Sequence, residues 1–487
     1  MKRKTYLLAA VLVAVVFSAY SCGGGGSSGQ SAAGGPGASR GAITGFGSVI
    51  VNGIEFDTTG AVFTVENLSS PVQSDLDEGM EVTVEGEFSG DGLTGTATQV
   101  IFNDDLEGPV DTISGNTIIV MGQSVLTDND TIFANAPAKL GSLSAGDIVE
   151  VSGPRGSNGV ILATRVEKKG PFTPGVDELE ILGTVSNLVS TANTMEFSIS
   201  ALTVDFSSAV LQDFGSGGPT NGDLVEVKSA TLPAGGVLTA TRVELKNNDV
   251  PGVDNDEIEI EGLVDRFVDI SDFDVDGQAV DASGSGVEFF NGVADDVDFN
   301  VKLEVEGDLL GGVIIARKVK FRGNRIKIEA TVDTGGVNPG AGTVTLMNIV
   351  VSVNQLTETK DNTSASADLS DLNNISAGDA LRIRGFVSSG VVTATRLERD
   401  NTIDLDKFIL QGPVDSIGVE PLASRTFVIA GVTIDTQNTA DANFEQEGSI
   451  IGRSVFFANL LVNSQVKARG IYNGSTTIDA NQVELQD

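Results

Sequence analysis

Five carboxylates near the middle of the chain are the residues best suited to hold a metal ion. Asp249, Asp254, Asp256, Glu257 and Glu259 fall within eleven residues around a Pro-Gly turn. Calcium takes several oxygen ligands in loose geometry, so these side chains are candidates for a calcium site that bridges two domains. A solvated acidic linker without a bound ion is the alternative, and it needs no ligand at all.

A second acidic segment resembles the start of an EF-hand calcium loop. It runs from Asp272 to Gly277, but its twelfth position holds Ser283, where the calcium loop requires an acidic residue. An Asp-Gly pair between two alternating stretches is typical of a tight hairpin turn. We therefore predict a hairpin at this segment and no calcium loop.

The residue inventory excludes most familiar active sites. The chain has no histidine and one cysteine, so the commonest general base and the usual ligands of zinc, haem and iron–sulfur clusters are missing. Paired carboxylates could hydrolyse a glycosidic bond, but Tyr472 is the only tyrosine after residue 20 and there is no tryptophan to stack a sugar. We predict a protein that is not an enzyme and has no cofactor apart from the candidate calcium; a carboxylate-based hydrolase is an alternative.

The N-terminus has the features of a bacterial export signal. Lys2, Arg3 and Lys4 precede an apolar run of 15 residues, which is short for a permanent membrane helix but suits a signal peptide. The run ends at Tyr20 and is followed by Ser21 and Cys22. The small residues before Cys22 resemble a lipobox, although the same residues also fit ordinary signal peptidase. Because Cys22 is the only cysteine, it cannot form an intrachain disulfide, and we predict that it carries a lipid.

Composition indicates where in the cell the protein is located and which kinds of partner it can bind. Residues after Cys22 form a Gly/Ser-rich tract that behaves as a flexible tether. The net charge is −37, and loss of the three positive charges in residues 1–21 brings it to −40, so nucleic acid would be repelled. We expect an outer-membrane lipoprotein that faces either the periplasm or the cell surface and touches the membrane only through Cys22.

One sequence motif recurs along the chain and is the strongest sign of internal repetition. It consists of an apolar alternating strand, a glycine-containing turn and the sequence Ala-Thr-Arg-Val-Glu or a variant. Its alanines recur every 66 to 86 residues, which predicts six repeats; they are Ala97, Ala163, Ala240, Ala316, Ala394 and Ala480. Arg165, Arg242 and Arg396 each precede a glutamate by two positions, which predicts cross-strand charge pairing on the outer surface.

Each repeat has the pattern of a small all-β unit. Apolar and charged residues alternate with the period of a strand that has one buried face. Asn-Gly at residues 52–53 separates two such strands and favours a tight hairpin, and similar pairs are Met121-Gly122, Asp276-Gly277 and Ala430-Gly431. With a short helical turn and a final hairpin, the pattern predicts five-stranded barrels of OB-like type.

The predicted fold is therefore all-β, a tandem array of about six small OB-like barrels after a signal peptide and a tether. The predicted segments are a signal peptide at 1–21, a tether at 22–40 and repeats at 41–103, 104–170, 176–247, 256–323, 325–400 and 406–487, the last one divergent. Short acidic linkers join the repeats. We accordingly expect a string of separate barrels and no large common core.

These motifs resemble a bacterial repeat family known as domain of unknown function 5666. The resemblance rests on the segments 43–53, 105–110 and 163–167. It covers most of residues 41–400 and weakens in the last unit, which lacks the Ala-Thr-Arg form. The resemblance implies an envelope lipoprotein with repeated OB-like barrels, and it implies no activity.

Taken together, the sequence favours a non-catalytic, lipid-anchored envelope protein that presents repeated barrels for binding or for a structural role. Repetition could provide avidity for an unknown envelope or extracellular protein or polymer. A periplasmic accessory of envelope assembly or export is the other non-enzymatic alternative. The sequence names no ligand.

Overall fold

The structure is a computed structural model, and the described part of the chain is built almost entirely of β-strands. The described residues are 34–486 except 67, 91, 104, 129–130, 192–193, 216, 323, 389–390, 403, 405–406 and 447–448. Cys22, the predicted signal peptide and residues 22–33 of the predicted tether lie outside them. Among the described residues, no helix is both long enough and apolar enough to cross a membrane.

In the part of the chain that the structure describes, forty strands form six barrels in chain order. The first barrel contains β1 (Gly35–Phe46), β2 (Val49–Val51), β3 (Ile54–Asp57), β4 (Val62–Val65), β5 (Glu81–Phe88) and β6 (Thr94–Phe102). The second contains β7 (Leu106–Ser114), β8 (Thr117–Val120), β9 (Gln123–Leu126), β10 (Ile132–Ala134), β11 (Ile148–Ser152), β12 (Ile161–Leu162) and β13 (Arg165–Lys168). The third contains β14 (Leu179–Thr184), β15 (Ser186–Ser190), β16 (Met195–Ile199), β17 (Leu202–Asp205), β18 (Val210–Gln212), β19 (Leu224–Ser229), β20 (Val237–Thr239) and β21 (Arg242–Leu245).

The second half of the chain continues in the same way. The fourth barrel contains β22 (Glu257–Asp269), β23 (Asp272–Val275), β24 (Gln278–Asp281), β25 (Glu288–Phe290), β26 (Lys302–Leu310) and β27 (Val313–Phe321). The fifth contains β28 (Asn324–Asn338), β29 (Thr343–Leu346), β30 (Ile349–Ser352), β31 (Glu358–Asp361), β32 (Ala380–Ser388) and β33 (Val391–Asp400). The sixth contains β34 (Phe408–Ile417), β35 (Thr426–Ile429), β36 (Val432–Asp435), β37 (Phe444–Gln446), β38 (Ser449–Ile450), the helix α1 (Arg453–Asn459), β39 (Gln465–Tyr472) and β40 (Thr477–Gln486).

Each barrel closes through five strands, as the sequence predicted. In the first barrel, β1 pairs with both β2 and β5, β2 pairs with β3, and β5 pairs with β6. The parallel pairing of β3 with β6 completes the ring. A closed ring leaves few free strand edges, and it buries the inward-facing residues that alternate along every strand.

The hairpin turns that the sequence predicted are present. Asn52 and Gly53 have φ angles of 54° and 84°, and Asp276 and Gly277 have 47° and 78°. These left-handed values are what a two-residue turn requires between tightly paired strands. The segment that resembles an EF-hand loop is therefore the hairpin of β23 and β24, as predicted.

A glycine recurs within the first strand of the final hairpin, which is β5 in the first barrel and β32 in the fifth, because the backbones approach closely there. A Cβ atom on Gly86 would lie 2.1 Å from the carbonyl oxygen of Thr96, and one on Gly385 would lie 2.0 Å from that of Thr393. Both positions coincide with a β-bulge in the pairing of the final hairpin. No side chain fits at this bulge, which explains why glycine ends the alternating run in these repeats.

The barrels are joined in pairs by their first strands, which differs from the expected string of separate units. Strand β1 pairs in parallel with β22, so the first barrel adjoins the fourth. Strand β7 pairs with β14, and β28 pairs with β34, so the second barrel adjoins the third and the fifth adjoins the sixth. One hydrophobic core spans barrels two and three, and another spans barrels five and six. The barrels are not separate because the first strand of one barrel has a free edge that can pair with the first strand of another.

The strand β1 also begins earlier than expected. It starts at Gly35, inside the residues 22–40 that the sequence assigned to the tether. Residues 37–40 of β1 make the parallel pairing with β22. A Gly/Ala-rich stretch without hydrophobic periodicity gave no signal of a strand, because its order comes from a neighbour more than 200 residues away in the chain.

Barrels one to three and barrels four to six are arranged alike. The pairing of barrels two and three places Leu106 opposite Ile181, and that of barrels five and six places Ile328 opposite Leu410. The two halves meet at the pairing of β1 with β22 and at a small apolar cluster formed by Leu126, Val160, Leu263 and Leu356. The chain is thus a doubled set of three barrels.

Candidate functional site

The arginines of the repeated motif pair mainly with the glutamate two positions on along the same strand, whereas the sequence predicted pairing across strands. The Arg165 Nη2 atom lies 2.9 Å from Oε2 of Glu167, and Nη2 of Arg396 lies 3.1 Å from Oε1 of Glu398. Arg242 also contacts Glu226 across the sheet at 3.0 Å. Of these three described arginines, only Arg242 makes the cross-strand pairing that the sequence predicted, and Arg165 is 5% exposed and so does not lie on the outer surface.

The same arginines also bind neighbouring barrels, which the sequence did not indicate. Arg165 of the second barrel reaches Asp77 of the first at 2.8 Å, and Arg396 of the fifth reaches Asp298 of the fourth at 2.8 Å. Thr164 adds a hydrogen bond from its Oγ1 to the carbonyl oxygen of Gly79, at 2.7 Å. The repeated motif is therefore part of the contact between barrels.

A buried group of carboxylates lies between the first and third barrels. Glu66, Glu180 and Glu226 place one oxygen each within 4.8 Å of one another, and among the described residues this is the one group of three with the spacing of a metal site. The ammonium of Lys228 occupies its centre. Its Nζ atom lies 2.9 Å from Glu180, 3.7 Å from Glu226 and in direct contact with Glu66.

The electrostatics of this group follow from burial. Glu180 is 1% exposed, and burial together with Glu66 and Glu226 raises the pKa of its carboxyl to about 10. Burial acts to lower the pKa of Lys228, but Glu66 and Glu180 outweigh it, so the pKa is raised. A protonated Glu180 beside a charged lysine is the expected state at neutral pH, and the lysine takes the place that a metal ion would need.

A cleft of about 460 Å³ lies between the first and fourth barrels. One wall comes from the turns after β2 and β5 of the first barrel, including Asn52, Phe88 and Leu93. The floor comes from the outward face of β22, β26 and β27, which carries only charged residues; these are Glu257, Glu259, Glu304, Glu306, Lys318, Lys320 and Arg322. Strand alternation places them all on one face.

Most charges on the cleft floor are neutralised by a partner on the next strand. Glu306 accepts a hydrogen bond from Lys318 at 2.7 Å, and Glu304 contacts both Lys320 and Arg322. Glu259 is the exception, because its nearest cation, Lys320, is 4.0 Å away. Burial and then Glu304 raise the pKa of Glu259 well above its ordinary value. The floor is accordingly polar but nearly balanced in charge.

The five predicted calcium ligands do not converge. Glu257 and Glu259 lie on the cleft floor, and Glu257 is 2.7 Å from Arg317. Each of the other three is used by a nearby donor: Asp249 accepts from Asn247, Asp254 from the backbone of Gly311 and Asp256 from the backbone of Val253. The arrangement offers no shared set of oxygen ligands, which favours the acidic-linker alternative.

A second buried group of charges joins the first, second and fourth barrels. Arg40 donates to the carbonyl oxygens of Asn248 and Asp276, both at 2.7 Å, and Arg155 donates to the carbonyl oxygen of Asp105 at 3.0 Å. Burial is the main cause that raises the pKa of Asp105 to about 6, although Arg155 opposes it. Burial likewise raises the pKa of Glu107 to about 7 and that of Asp265 to about 6.

These raised pKa values predict a protein that is more stable at mildly acidic pH than at pH 8. An unfolded carboxyl titrates near pH 4, so the folded state binds more protons than the unfolded one between about pH 4 and pH 7. The free energy of unfolding should therefore fall as pH rises through this window. Thermal unfolding at pH 5 and pH 8 checks the sign, and Asp105→Asn should reduce the difference. A lower midpoint at pH 5 would contradict the prediction.

Comparison with known families gives one result. The family model for domain of unknown function 5666 (DUF5666) matches residues 40–101, 107–167, 183–244, 328–398 and 411–484, which is more than half of the chain. The chain belongs to this family. The five matches are tandem copies of the family domain and correspond to barrels one, two, three, five and six. A search of curated proteins found no match.

The family model also covers the last unit. The resemblance was expected to weaken after residue 400, yet the family model matches residues 411–484. The family model does not match residues 245–327, which include the fourth barrel. The fourth barrel keeps the strand order and closure of the other barrels, so its divergence is in sequence and not in fold.

Lys228 and its three glutamates are the residues that sequence reasoning missed most clearly. Lys228 and Glu226 lie on one face of β19, where a charged residue is ordinary. The partner Glu66 is 162 residues away. A local pattern carries no signal of such a contact, because only the docking of two barrels creates it.

Proposed function

We propose that the protein is a non-catalytic, lipid-anchored component of the cell envelope in which six barrels form one scaffold. The observation that carries this proposal is the pairing of first strands between barrels, since shared strands fix the orientation of neighbours. Arg165 and Arg396 on the repeated face are engaged with adjacent barrels. A scaffold with one composite site is therefore favoured over an array that binds a polymer through six equivalent faces.

The cleft between the first and fourth barrels is the proposed point of contact with a partner. Its floor of paired charges suits a polar ligand or protein segment with balanced charge, and its volume of about 460 Å³ lies in the range of binding pockets. Leu93, at the rim, is 65% exposed and supplies an apolar contact. The partner would be an envelope or extracellular component.

Photo-cross-linking in intact cells tests this contact. A photoreactive residue at Leu93 should give a discrete adduct with a partner. The same residue at Val419, which is 97% exposed on the sixth barrel, should give none. Equal labelling from both positions, or none from either, would contradict a binding role for the cleft.

The lipid anchor rests on Cys22 and the Gly/Ser-rich tract that follows it. The wild-type chain should incorporate labelled palmitate and partition into a detergent phase. Cys22→Ser should do neither while remaining exported. If the serine variant partitioned like the wild type, the protein would be held by something other than a lipid on this residue.

The side of the membrane that the scaffold faces decides between two roles. Protease added to intact cells should cut the barrels if they face the medium, and a periplasmic protein serves as the control. Cleavage only after the outer membrane is opened would instead support a periplasmic accessory of envelope assembly or export.

A carboxylate-based hydrolase is the second candidate, and one observation favours it. Glu259 lies in the cleft beside Glu304, and burial raises the pKa of the Glu259 carboxyl, which is a property of carboxyl groups that act as acid catalysts. Purified protein would then hydrolyse chromogenic glycosides, and Glu259→Gln would abolish the activity. The expected result under the leading proposal is no hydrolysis by either protein.

A further inference from the structure

Three cationic side chains stand side by side on the fifth barrel, where like charges repel. Strand pairing places Lys327 of β28 opposite Arg384 of β32, and Arg384 opposite Arg396 of β33. Like charges directly opposite each other destabilise a sheet. In a chain with a net charge of −37, such a row requires an explanation beyond chance surface composition.

Contact with the fourth barrel accounts for only part of this row. Asp298 lies 2.8 Å from Arg396, and Asp296 contacts Arg325, which lies two residues before Lys327 on the same strand. Lys327 itself is 2.9 Å from Glu329. The guanidinium of Arg384 is left without a close carboxylate, because the nearest one, Asp298, is 4.0 Å away.

The matching contact in the first half of the chain does not need the extra cation. There Arg165 binds Asp77 at 2.8 Å, and the residue opposite Arg165 is Ser152, where the fifth barrel has Arg384. The two halves thus use the same Arg–Asp contact to hold neighbouring barrels together. Arg384 adds a positive charge that this contact does not require.

A small cavity lies against the row. It measures about 30 Å³, which is room for about two water molecules, and it is lined by Arg325, Lys327, Arg384 and Arg396 together with Asp296 and Asp298. The Arg384 side chain is 39% exposed, so the cavity can be reached from solvent. Burial is the main cause that lowers the pKa of Arg325 to about 10, and the nearby Arg384 adds to it.

We propose that this cavity between the fourth and fifth barrels binds a small free oxyanion, such as inorganic phosphate or sulfate, through Arg384 and the flanking arginines. Guanidinium groups hold tetrahedral oxyanions through paired N–H donors, and an anion would neutralise the charge of Arg384, whose nearest carboxylate is 4.0 Å away. The strong negative charge of the rest of the protein would repel large anionic polymers and surfaces. The site therefore suits a small anion.

Equilibrium dialysis of the full chain against radiolabelled phosphate tests the proposal. The wild type should bind one phosphate per chain at this site, and unlabelled sulfate should displace it. Arg384→Gln should weaken binding at least tenfold without a loss of fold, because in the part of the chain that the structure describes this side chain makes no hydrogen bond. Arg382→Gln is the matched control, since Arg382 lies two residues away and already pairs with Glu329 and Asp400.

Three outcomes would overturn the proposal. The first is the absence of phosphate binding above the level explained by ionic strength. The second is equal loss of binding in the Arg384 and Arg382 variants, which would indicate a diffuse charge effect. The third is displacement by acetate as effective as that by sulfate, which would indicate a carboxylate site, for a protein side chain or terminus, and not a site for a tetrahedral anion.

Discussion

Replacing Lys228 with methionine is expected to destabilise the protein by about 3–5 kcal/mol, the cost of breaking a buried ion pair by removing one partner. Lys228 is 2% exposed and is the cation at the centre of Glu66, Glu180 and Glu226. Without it, this group of three buried carboxyl groups would lose its central cation at the contact between the first and third barrels. Because the chain has no tryptophan, unfolding is followed by far-ultraviolet circular dichroism in urea.

The control for this variant is Lys407→Met. Lys407 is 65% exposed and pairs with Asp404 at 2.8 Å, and exposed pairs contribute about 0–1 kcal/mol. The deficit of the Lys228 variant should also shrink as pH is lowered from 8 to 5, since protonation removes the repulsion between the carboxylates. A loss below about 1 kcal/mol, or a deficit independent of pH, would contradict the role assigned to Lys228.

Gly37→Ala is expected to detach the first barrel from the fourth. A Cβ atom at residue 37 would lie 2.1 Å from the carbonyl oxygen of Glu257 and 2.8 Å from the ring of Phe88. The nearer atom is backbone and cannot rotate away, so the parallel pairing of β1 with β22 must open, at a cost of about 1–3 kcal/mol. Hydrogen exchange should then lose its protection in residues 37–40 and 257–260.

Gly35→Ala is the matched control on the same strand. A Cβ atom at Gly35 meets nothing within 4 Å, and the residue precedes the part of β1 that pairs with β22. This variant should keep the protection of both segments. Equal exchange in the two variants would mean that the contact between the first and fourth barrels does not depend on the close approach at Gly37.

The individual barrel was predictable from sequence because its determinants are local. Alternation of apolar and charged residues defines each strand, and residues such as Asn52-Gly53 and Asp276-Gly277 define the turns through their positive φ angles. The repeat of Ala-Thr-Arg-Val-Glu fixes the number of units. These signals extend over ten to twenty residues, within the range over which a single sequence can be interpreted.

The arrangement of the barrels was not predictable because its determinants are distant in the chain. Arg40 is held by Asn248 and Asp276, which lie more than 200 residues away, and nothing near Arg40 marks it as different from a surface arginine. The cleft between the first and fourth barrels likewise depends on contacts between residues that are distant in the sequence. Glu257 and Glu259 belong to an acidic stretch that suggested calcium, whereas their nearest cations, Arg317 and Lys320, come from β27 of the same barrel, about 60 residues further along the chain.

The central claim is that the six barrels form one fixed scaffold, and small-angle X-ray scattering of residues 34–487 tests it most directly. Strands of about eight residues give barrels of about 25 Å, so six in a line would have a radius of gyration of about 43 Å. A compact chain of this length would have about 23 Å. We predict a value below about 30 Å that does not change with salt concentration. A radius of gyration near 40 Å, or one that increases with salt, would contradict the paired arrangement and would indicate a flexible string of separate barrels.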